Sequence, residues 1–555
     1  MEKIRRLILP GALTVLAFSA LLLGLLTGRD RIVEGLKPLS PAFLEINFAL
    51  FFLLLVPGAR DLIKPFAAIP GKAWLPVAAV ALLAFGLAFF AAPRTHRIYY
   101  DENIYLHIGQ SVALTNRAEM VNFGEMRGGR MVVRETEYNK EPNAYPVFLS
   151  FFYRVFGCSE NLSFLLNNIL FGLSSLHIFG IGFLLGGRFR IGLAGAGVFA
   201  VIPQNILWHN TTSVEPANTF FIVLTVFIFL AFLKSGSSRL FFLAAAAACL
   251  AAQFRLESLL IFPLLAVMGF LGEPRIFRKW PALVYAAPMI LLLLLPHILH
   301  LSSFAGHSWG SGQNPFSIFN VRHNLATNGL FFLDNRDFPA LLTFFLALSF
   351  FGKGFLKAKI GLLFWLVFFW GVFLFFYAGS YYYGADVRFV LMALPPFSLL
   401  AGMGFFYFDR ILKKFFRKDF APSAAIIAVI FFSVLPRARA VGEEAWAARA
   451  DHRYAQVMAD ALPLDSIVFT HNPNMFLFWG RSSAQASILA GYDEARLRSV
   501  EASFPGGVFF HYNFWCNVSD PVQQGFCKGI LEKFPHEEVL KFREREYTYI
   551  LYKIH

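Results

Sequence analysis

Apolar runs close to twenty residues long recur from Leu7 to about residue 435, and they constrain the fold more than any other feature of this chain. A helix of that length crosses about 30 Å of hydrocarbon, since each residue adds about 1.5 Å. Composition agrees, because 57% of the 555 residues are hydrophobic and only 15% are charged. A soluble surface cannot be built from such a composition. The sequence therefore predicts a polytopic α-helical membrane protein.

Hydropathy predicts about thirteen transmembrane helices. The two runs on either side of Arg255 can also be interpreted as one broken helix. The predicted spans are 7–27, 42–57, 74–92, 161–186, 191–208, 217–233, 240–253, 257–271, 281–299, 337–352, 360–378, 389–408 and 420–435.

Basic residues predict the orientation of these spans. They cluster in alternate turns, such as the one with Lys353 and Lys357, and such turns stay in the cytoplasm. The net charge of +14 is therefore a topological signal, and no nucleic-acid partner is expected. The predicted N-terminus is cytoplasmic and the C-terminus periplasmic, with external loops at 93–160 and 300–336.

The tail is more polar than the rest of the chain. Its patterns predict a small periplasmic α/β domain at 436–555, after a membrane catalytic domain at 1–435. Helical spacing covers Glu443 to Leu462, and strands are predicted at Ser466 to Thr470, Gly507 to Tyr512 and Glu546 to Ile554.

Two of the four cysteines, Cys516 and Cys527, lie eleven positions apart in this tail. A translocated domain occupies an oxidising compartment, so the pair predicts a disulfide bond. Two buried free thiols are the alternative.

An acidic pair, Asp101 and Glu102, follows the third predicted span and begins an amphipathic stretch predicted to lie along the membrane surface. Carboxylates at a lipid boundary are poorly solvated, so one can act as a base or both can hold a metal. The alternative is a solvated helix start, where the helix dipole favours acids.

A second motif is Lys140-Glu141-Pro142-Asn143-Ala144-Tyr145-Pro146, which precedes a mostly apolar run. A lysine at the membrane level can meet a phosphate as a point charge. The alternative is an interfacial lysine that extends its amine to water, beside prolines that begin a helix.

Three further charged positions lie at the ends of spans. Glu215 begins a helix after a polar external loop, Arg388 follows an aromatic-rich loop, and Arg255 lies near Glu257 between two apolar runs. A planar guanidinium can bind phosphate at such a place. Helix capping, an interfacial cation and a structural ion pair are the respective alternatives.

In this order the motifs resemble the GT-C superfamily of membrane glycosyltransferases. The likeness is greatest to the bacterial branch related to protein O-mannosyltransferases and to the lipid A aminoarabinose transferase, and it spans roughly residues 95–410. Its motifs are Asp101-Glu102, Lys140-Glu141-Pro142 with Tyr145-Pro146, Glu215-Pro216, Arg255-Leu256-Glu257, and Arg388-Phe389 followed by Pro395-Pro396.

The resemblance implies an inverting transfer of a sugar from a polyprenyl-phosphate donor to a glycan, lipid or protein acceptor, at the periplasmic face of a bacterial inner membrane. Membrane lipids are the other expected partners. The implied roles are Asp101 and Glu102 as catalytic residues, Lys140, Arg388 and Arg255 as ligands of the donor phosphate, and Glu141, Tyr145, Glu215 and Tyr383 as substrate-positioning residues.

The chain departs from the family pattern in three places. Three predicted spans precede the acidic pair where one is usual, one proline of the Lys140 motif is displaced, and Phe389 replaces the usual tyrosine. Usual cation-binding spacings are absent from the sequence, so no obligate metal or other cofactor is expected, although Asp101 and Glu102 are compatible with a divalent cation.

Two other classes of function fit part of the sequence. A transporter or lipid-linked glycan flippase is also polytopic and basic, but inverted repeats typical of transporters are not evident in the sequence. An oligosaccharyltransferase or O-antigen ligase uses a lipid-linked donor too, and transfers a preassembled glycan.

Overall fold

The computed structural model describes residues 2–98, 100–274, 280–305, 307, 314–334, 338–382, 386–416, 446–518 and 520–555. Contacts divide the chain into two compact units. The first comprises Met1–Arg94, Lys140–Tyr145 and Asn161–Glu444, and the second comprises Thr95–Asn139, Pro146–Glu160 and Ala445–His555.

The first unit is helical. Its α-helices are Glu2–Leu26, Arg29–Ile63, Trp74–Gly86, Glu160–Gly186 apart from its first residue, Phe189–Val201, Pro203–Trp208, Glu215–Ser235, Ser238–Ala252, Ile261–Gly272, Trp280–Ser303, Val321–Phe331, Ala340–Phe351, Leu356–Phe375 and Leu394–Phe416. Short 3-10 helices are Lys64–Phe66, Gly71–Ala73, Leu256–Leu260, Ile318–Asn320 and Asp386–Met392, and Leu87–Ala91 is a π-helix.

Among the described residues, seven helical segments are long and apolar enough to cross a membrane. The protein is thus a polytopic membrane protein, while the number thirteen stays a prediction. The seven are Leu9–Leu26, Arg29–Phe66, Gly71–Ala91, Glu160–Gly186, Glu215–Ser235, Ala282–Ser303 and Leu356–Phe375. The predicted span 420–435 lies outside the described residues.

Two predicted spans differ in the structure. The span at 42–57 is part of a longer helix, Arg29–Ile63. The span at 191–208 is interrupted because Ile202 is extended, with ψ of 124°, as is usual for the residue before a proline. The runs around Arg255 form separate helices, since Arg255 itself is extended, with φ of −146° and ψ of 155°.

Small residues allow close helix packing in the first unit. A Cβ atom on Gly402 would overlap the backbone of Gly195 on the neighbouring helix. Membrane helices that lack a hydrophobic driving force between them associate through such close backbone contact.

The second unit contains a seven-stranded mixed sheet in the order β2-β1-β4-β3-β5-β7-β6. Strand β3 is parallel to β4 and β5, and the other neighbours are antiparallel. The strands are β1 Met120–Arg127, β2 Arg130–Glu137, β3 Ile467–Thr470, β4 Ser482–Gln485, β5 Val508–Tyr512, β6 His536–Glu544 and β7 Tyr547–Ile554.

Helices cover both faces of this sheet. Side chains alternate along β3, so Ile467 and Phe469 lie in one apolar core and Val468 in the other. The helices of this unit are Asp101–Thr115, Ala144–Phe156 apart from its first two residues, Trp446–Ala461, Pro473–Phe478, Ala486–Ala490, Glu494–Ser503, Phe514–Asn517 and Pro521–Lys533.

The strands and helix predicted in the tail are confirmed at β3, β5, β7 and Trp446–Ala461. The hairpin β1–β2 was not predicted, and it pairs with the tail through Phe123 and Ala484. The sheet therefore includes part of the segment 93–160, which the sequence analysis assigned to the membrane domain.

The helix Asp101–Thr115 is buried along most of its length, and its buried residues are not confined to one apolar face. Gln110 Nε2 donates to the carbonyl of Leu477 at 3.2 Å. Val121 N–H donates to His107 Nε2 at 3.4 Å, so the other ring nitrogen is the N–H that donates to Gln110 Oε1. The amphipathic pattern thus reflects packing inside the second unit, whereas the sequence predicts a helix that lies along the membrane surface.

A disulfide bond joins Cys516 to Cys527, with a Cα–Cα distance of 5.8 Å. Both cysteines are buried in the core formed by β3, β5 and the helix Pro521–Lys533. Cys158 and Cys249 are free thiols.

Candidate active site

Asp101 is the first residue of its helix and is half-buried. The preceding residue, Tyr100, has a φ of 62° and a ψ of −38°, which a side chain with a Cβ rarely adopts. Asn513 donates to the Tyr100 hydroxyl at 3.2 Å, and the Trp515 ring lies 5.9 Å from the Tyr100 ring. Such strain is held by its surroundings and concentrates at functional sites. The tail thus contacts Tyr100, the residue that directly precedes Asp101.

Glu102 is fully buried, and its carboxylate accepts from the backbone N–H groups of Arg97 and Ile98 at 2.6 and 2.9 Å. His96 Nδ1 lies 3.4 Å from its other oxygen. Burial alone would raise the pKa of Glu102, but His96 and then the two backbone groups lower it below its ordinary value. A carboxylate of low pKa is a poor proton acceptor, and the two backbone contacts show that Glu102 holds the loop before its helix.

In the first unit, Glu215, Arg255 and Arg388 come together. Arg255 Nη1 lies 2.6 Å from Glu215 Oε1, and Arg388 Nε lies 3.3 Å from the same oxygen. Arg255 also pairs with Glu257 through its Nε. All four side chains are nearly buried, with exposed fractions of 1 to 12%. Two arginines thus converge on one carboxylate at the end of a membrane helix.

The two guanidinium groups also share Phe389. Their Cζ atoms lie 5.3 Å (Arg255) and 5.1 Å (Arg388) from its ring centroid. One turn further along, Ser258 donates to Asn218 Oδ1 at 2.7 Å, which ties the chain after Arg255 to the helix of Glu215. The aromatic surface and this polar link restrict the arginines, and a restricted guanidinium loses less entropy when it binds an anion.

The residues of the Lys140 motif are anchored by their backbone. His300 Nε2 donates to the carbonyl of Lys140 at 2.9 Å, and the Ala144 N–H donates to the carbonyl of Gln253 at 3.2 Å. The side chains of Lys140 and Glu141 are half-buried. The motif is thus held beside the extended segment that contains Arg255 and separates two helices.

Tyr145 is fully buried, and its hydroxyl accepts from Asn167 Nδ2 at 3.2 Å. The same Asn167 amide donates to the carbonyls of Thr211 and Ser213. Tyr145 therefore supports the polar loop that leads into Glu215. Tyr383 lies outside the described residues.

Asn167 and its neighbour Asn168 were missed by the sequence analysis. Asn168 donates to Asn210 Oδ1 at 3.0 Å, and Asn210 donates to the carbonyl of Ala92 at 2.9 Å. Two adjacent amides inside an apolar span are costly in a membrane, and that cost was the available signal.

Solved structures of other proteins have a similar fold. An oligosaccharyltransferase from Archaeoglobus fulgidus, tethered to an acceptor peptide containing an NVT sequon, aligns with a TM-score of 0.51 at 11% identity, over 87% of this chain and 74% of its own. ArnT from Cupriavidus metallidurans, bound to undecaprenyl phosphate, aligns with a TM-score of 0.51 at 13% identity, over 87% of this chain and 98% of its own. This chain has the GT-C fold.

The GT-C fold also includes the archaeal oligosaccharyltransferase AglB in complex with an inhibitory peptide and a dolichol-phosphate, which aligns with a TM-score of 0.50 at 12% identity, over 86% of this chain and 74% of its own. No protein-family model and no curated protein matches this chain. The GT-C assignment therefore rests on the fold.

Proposed function

We propose that this chain is a glycosyltransferase that moves a sugar, with inversion, from a polyprenyl-phosphate donor to an acceptor at the periplasmic face of a bacterial inner membrane. The observation that carries the proposal is the convergence of Arg255 and Arg388 on Glu215 at the end of a membrane helix. Buried arginines at a membrane boundary suit a lipid-linked phosphate. Structures with the same fold contain undecaprenyl phosphate or dolichol-phosphate, which supports this choice of ligand.

The proposed reaction needs a base and a cation. Asp101 takes the proton from the acceptor hydroxyl while that oxygen attacks the anomeric carbon. The bond from this carbon to the phosphate oxygen breaks, and the phosphate leaves with the bonding electrons. Arg388, with Lys140, stabilises the negative charge on the departing phosphate, an effect of about 10²–10³ in rate for one well-placed donor.

An oligosaccharyltransferase is the second candidate, and the similarity to the archaeal enzyme supports it with an equal TM-score. Coverage favours the first candidate, since the alignment includes 98% of ArnT and 74% of the archaeal enzyme. The two candidates differ in the donor, which is a sugar on one phosphate or a preassembled glycan.

We expect purified protein to transfer label from a polyprenyl-monophosphate sugar, and to leave a diphosphate-linked oligosaccharide unchanged. The acceptor is the envelope fraction of a strain that lacks this protein, and the measurement is label retained in that fraction. Heat-treated protein is the control. Turnover of the oligosaccharide donor alone would replace the proposal by an oligosaccharyltransferase. Movement of an intact lipid-linked sugar across vesicles without transfer would identify a transporter.

The proposed orientation places the β1–β2 hairpin in the periplasm. A cysteine at the exposed Arg130 of that hairpin should react with an impermeant maleimide in intact spheroplasts, because this segment is predicted to be translocated. A cysteine at the exposed Lys353 should react only after permeabilisation. Both changes are made in a Cys158→Ser background. The opposite labelling pattern would show that the topology is inverted and would rule out a reaction at the periplasmic face.

A further inference from the structure

A cluster of two histidines and one glutamate lies in the second unit. It consists of His96, His452 and Glu160, whose ligand atoms all lie within 4.8 Å of one another. Glu160 Oε2 lies 3.1 Å from His452 Nε2 and 3.5 Å from His96 Nε2. The imidazole rings are 3.9 Å apart between centroids, with planes at 33°. One carboxylate oxygen is therefore shared by two imidazole nitrogens.

We propose that His96, His452 and Glu160 bind a transition-metal ion of the zinc class. The spacing suits such an ion: bonds of about 2.0–2.1 Å in a tetrahedral site separate neighbouring ligand atoms by about 3.3–3.4 Å. The two nitrogen–oxygen distances in the cluster, 3.1 and 3.5 Å, lie on either side of this value. Two imidazoles with one carboxylate favour zinc or a similar ion over magnesium or calcium, which prefer oxygen ligands.

The atoms around the cluster orient two of its three ligands, His96 and Glu160. His96 Nδ1 faces the Glu102 carboxylate at 3.4 Å, so an N–H on Nδ1 directs the Nε2 lone pair toward Glu160. Trp479 Nε1 donates to Glu160 Oε1 at 2.7 Å, which leaves Oε2 toward the two histidines. Metal-binding histidines almost always donate their other ring N–H to such a carboxylate or carbonyl.

Burial supports a bound ion over a solvated ion pair. The exposed fractions are 3% for His96, 12% for His452 and 14% for Glu160. Three protein ligands leave one position of a tetrahedral ion for water or another donor. The site would join three parts of the second unit that are far apart in sequence: the loop before Asp101, Glu160 and the tail helix Trp446–Ala461.

The first test is metal content. Protein with a tag other than polyhistidine, purified without chelator or reductant, should contain about one zinc-class ion per chain by mass spectrometry. His452→Ala and Glu160→Gln should lose this ion. His555→Gln should keep it, since His555 is an exposed histidine near Glu537 in the same unit and serves as a matched control. Wild-type protein that takes up no ion after dialysis against zinc would overturn the proposal and leave a hydrogen-bonded network.

A second test uses wild-type protein, so its result does not depend on how variants fold. X-ray absorption of the zinc-loaded wild type should show nitrogen and oxygen neighbours with imidazole scattering. A sulfur neighbour would place the ion away from His96, His452 and Glu160 and overturn the assignment. A third test uses Trp479→Phe. This variant keeps an aromatic ring but removes the N–H that donates to Glu160, so its zinc affinity should fall about 10–100-fold. An unchanged affinity would contradict the orienting role. Neither readout requires transferase activity, so failure here is separate from failure of the proposed function.

Discussion

Replacing Asp101 with asparagine is expected to lower kcat by about 10²–10⁴, because the amide keeps the shape of the side chain but cannot accept the proton. KM for the donor should change little, since the phosphate ligands are intact. The measurement is initial rates of transfer at several donor concentrations, with matched expression and thermal stability.

Asp493→Asn is the matched control. Asp493 also starts a helix of the second unit, where its side chain accepts from the Arg496 N–H at 2.7 Å. Asparagine caps a helix about as well as aspartate, so this variant should keep both stability and activity. If Asp101→Asn behaves like the control, Asp101 only begins its helix and the base must be sought elsewhere.

Replacing Arg388 with alanine should lower kcat by about 10²–10³ and raise KM, because one cation of the donor phosphate is removed. The fold should tolerate the change, since Glu215 keeps its contact with Arg255 at 2.6 Å. Kinetics and thermal unfolding are measured on the same preparation.

Arg388→Lys separates charge from shape. Lysine keeps a positive charge but lacks the planar fork, so its activity should lie between wild type and alanine. A purely structural arginine would give the reverse pattern for Arg388→Ala, with a lower unfolding temperature and unchanged kinetic constants in the folded fraction.

The long apolar helices could be predicted because lipid demands apolar side chains on most positions of a span. The tail strands were also visible in the alternation of their side chains. The hairpin β1–β2 was missed although Gly128-Gly129 between alternating segments is a turn signal. Its pairing with β4 depends on a partner hundreds of residues away, and no local pattern carries that information.

The functional residues, like the fold, could be predicted only in part. Charges such as Arg255 and Glu215 stood out because they interrupt apolar sequence. The cluster of His96, Glu160 and His452 gave no such signal, since each residue lies alone in its segment and Glu160 is 292 positions from His452. Only the folded second unit brings these side chains within contact distance.

The sheet also imposes an order on biosynthesis. Met126 in β1 donates to Ser482 Oγ at the start of β4, a residue 356 positions later. At about 5–20 residues per second, the ribosome needs about 20–70 s to supply that partner. Through this interval one edge of β1 is exposed, and exposed edges invite pairing with other chains. A chain that terminates before residue 482 would never supply this partner. The edge of β1 beside the helix of Asp101 would stay unpaired and would be a target for envelope proteases.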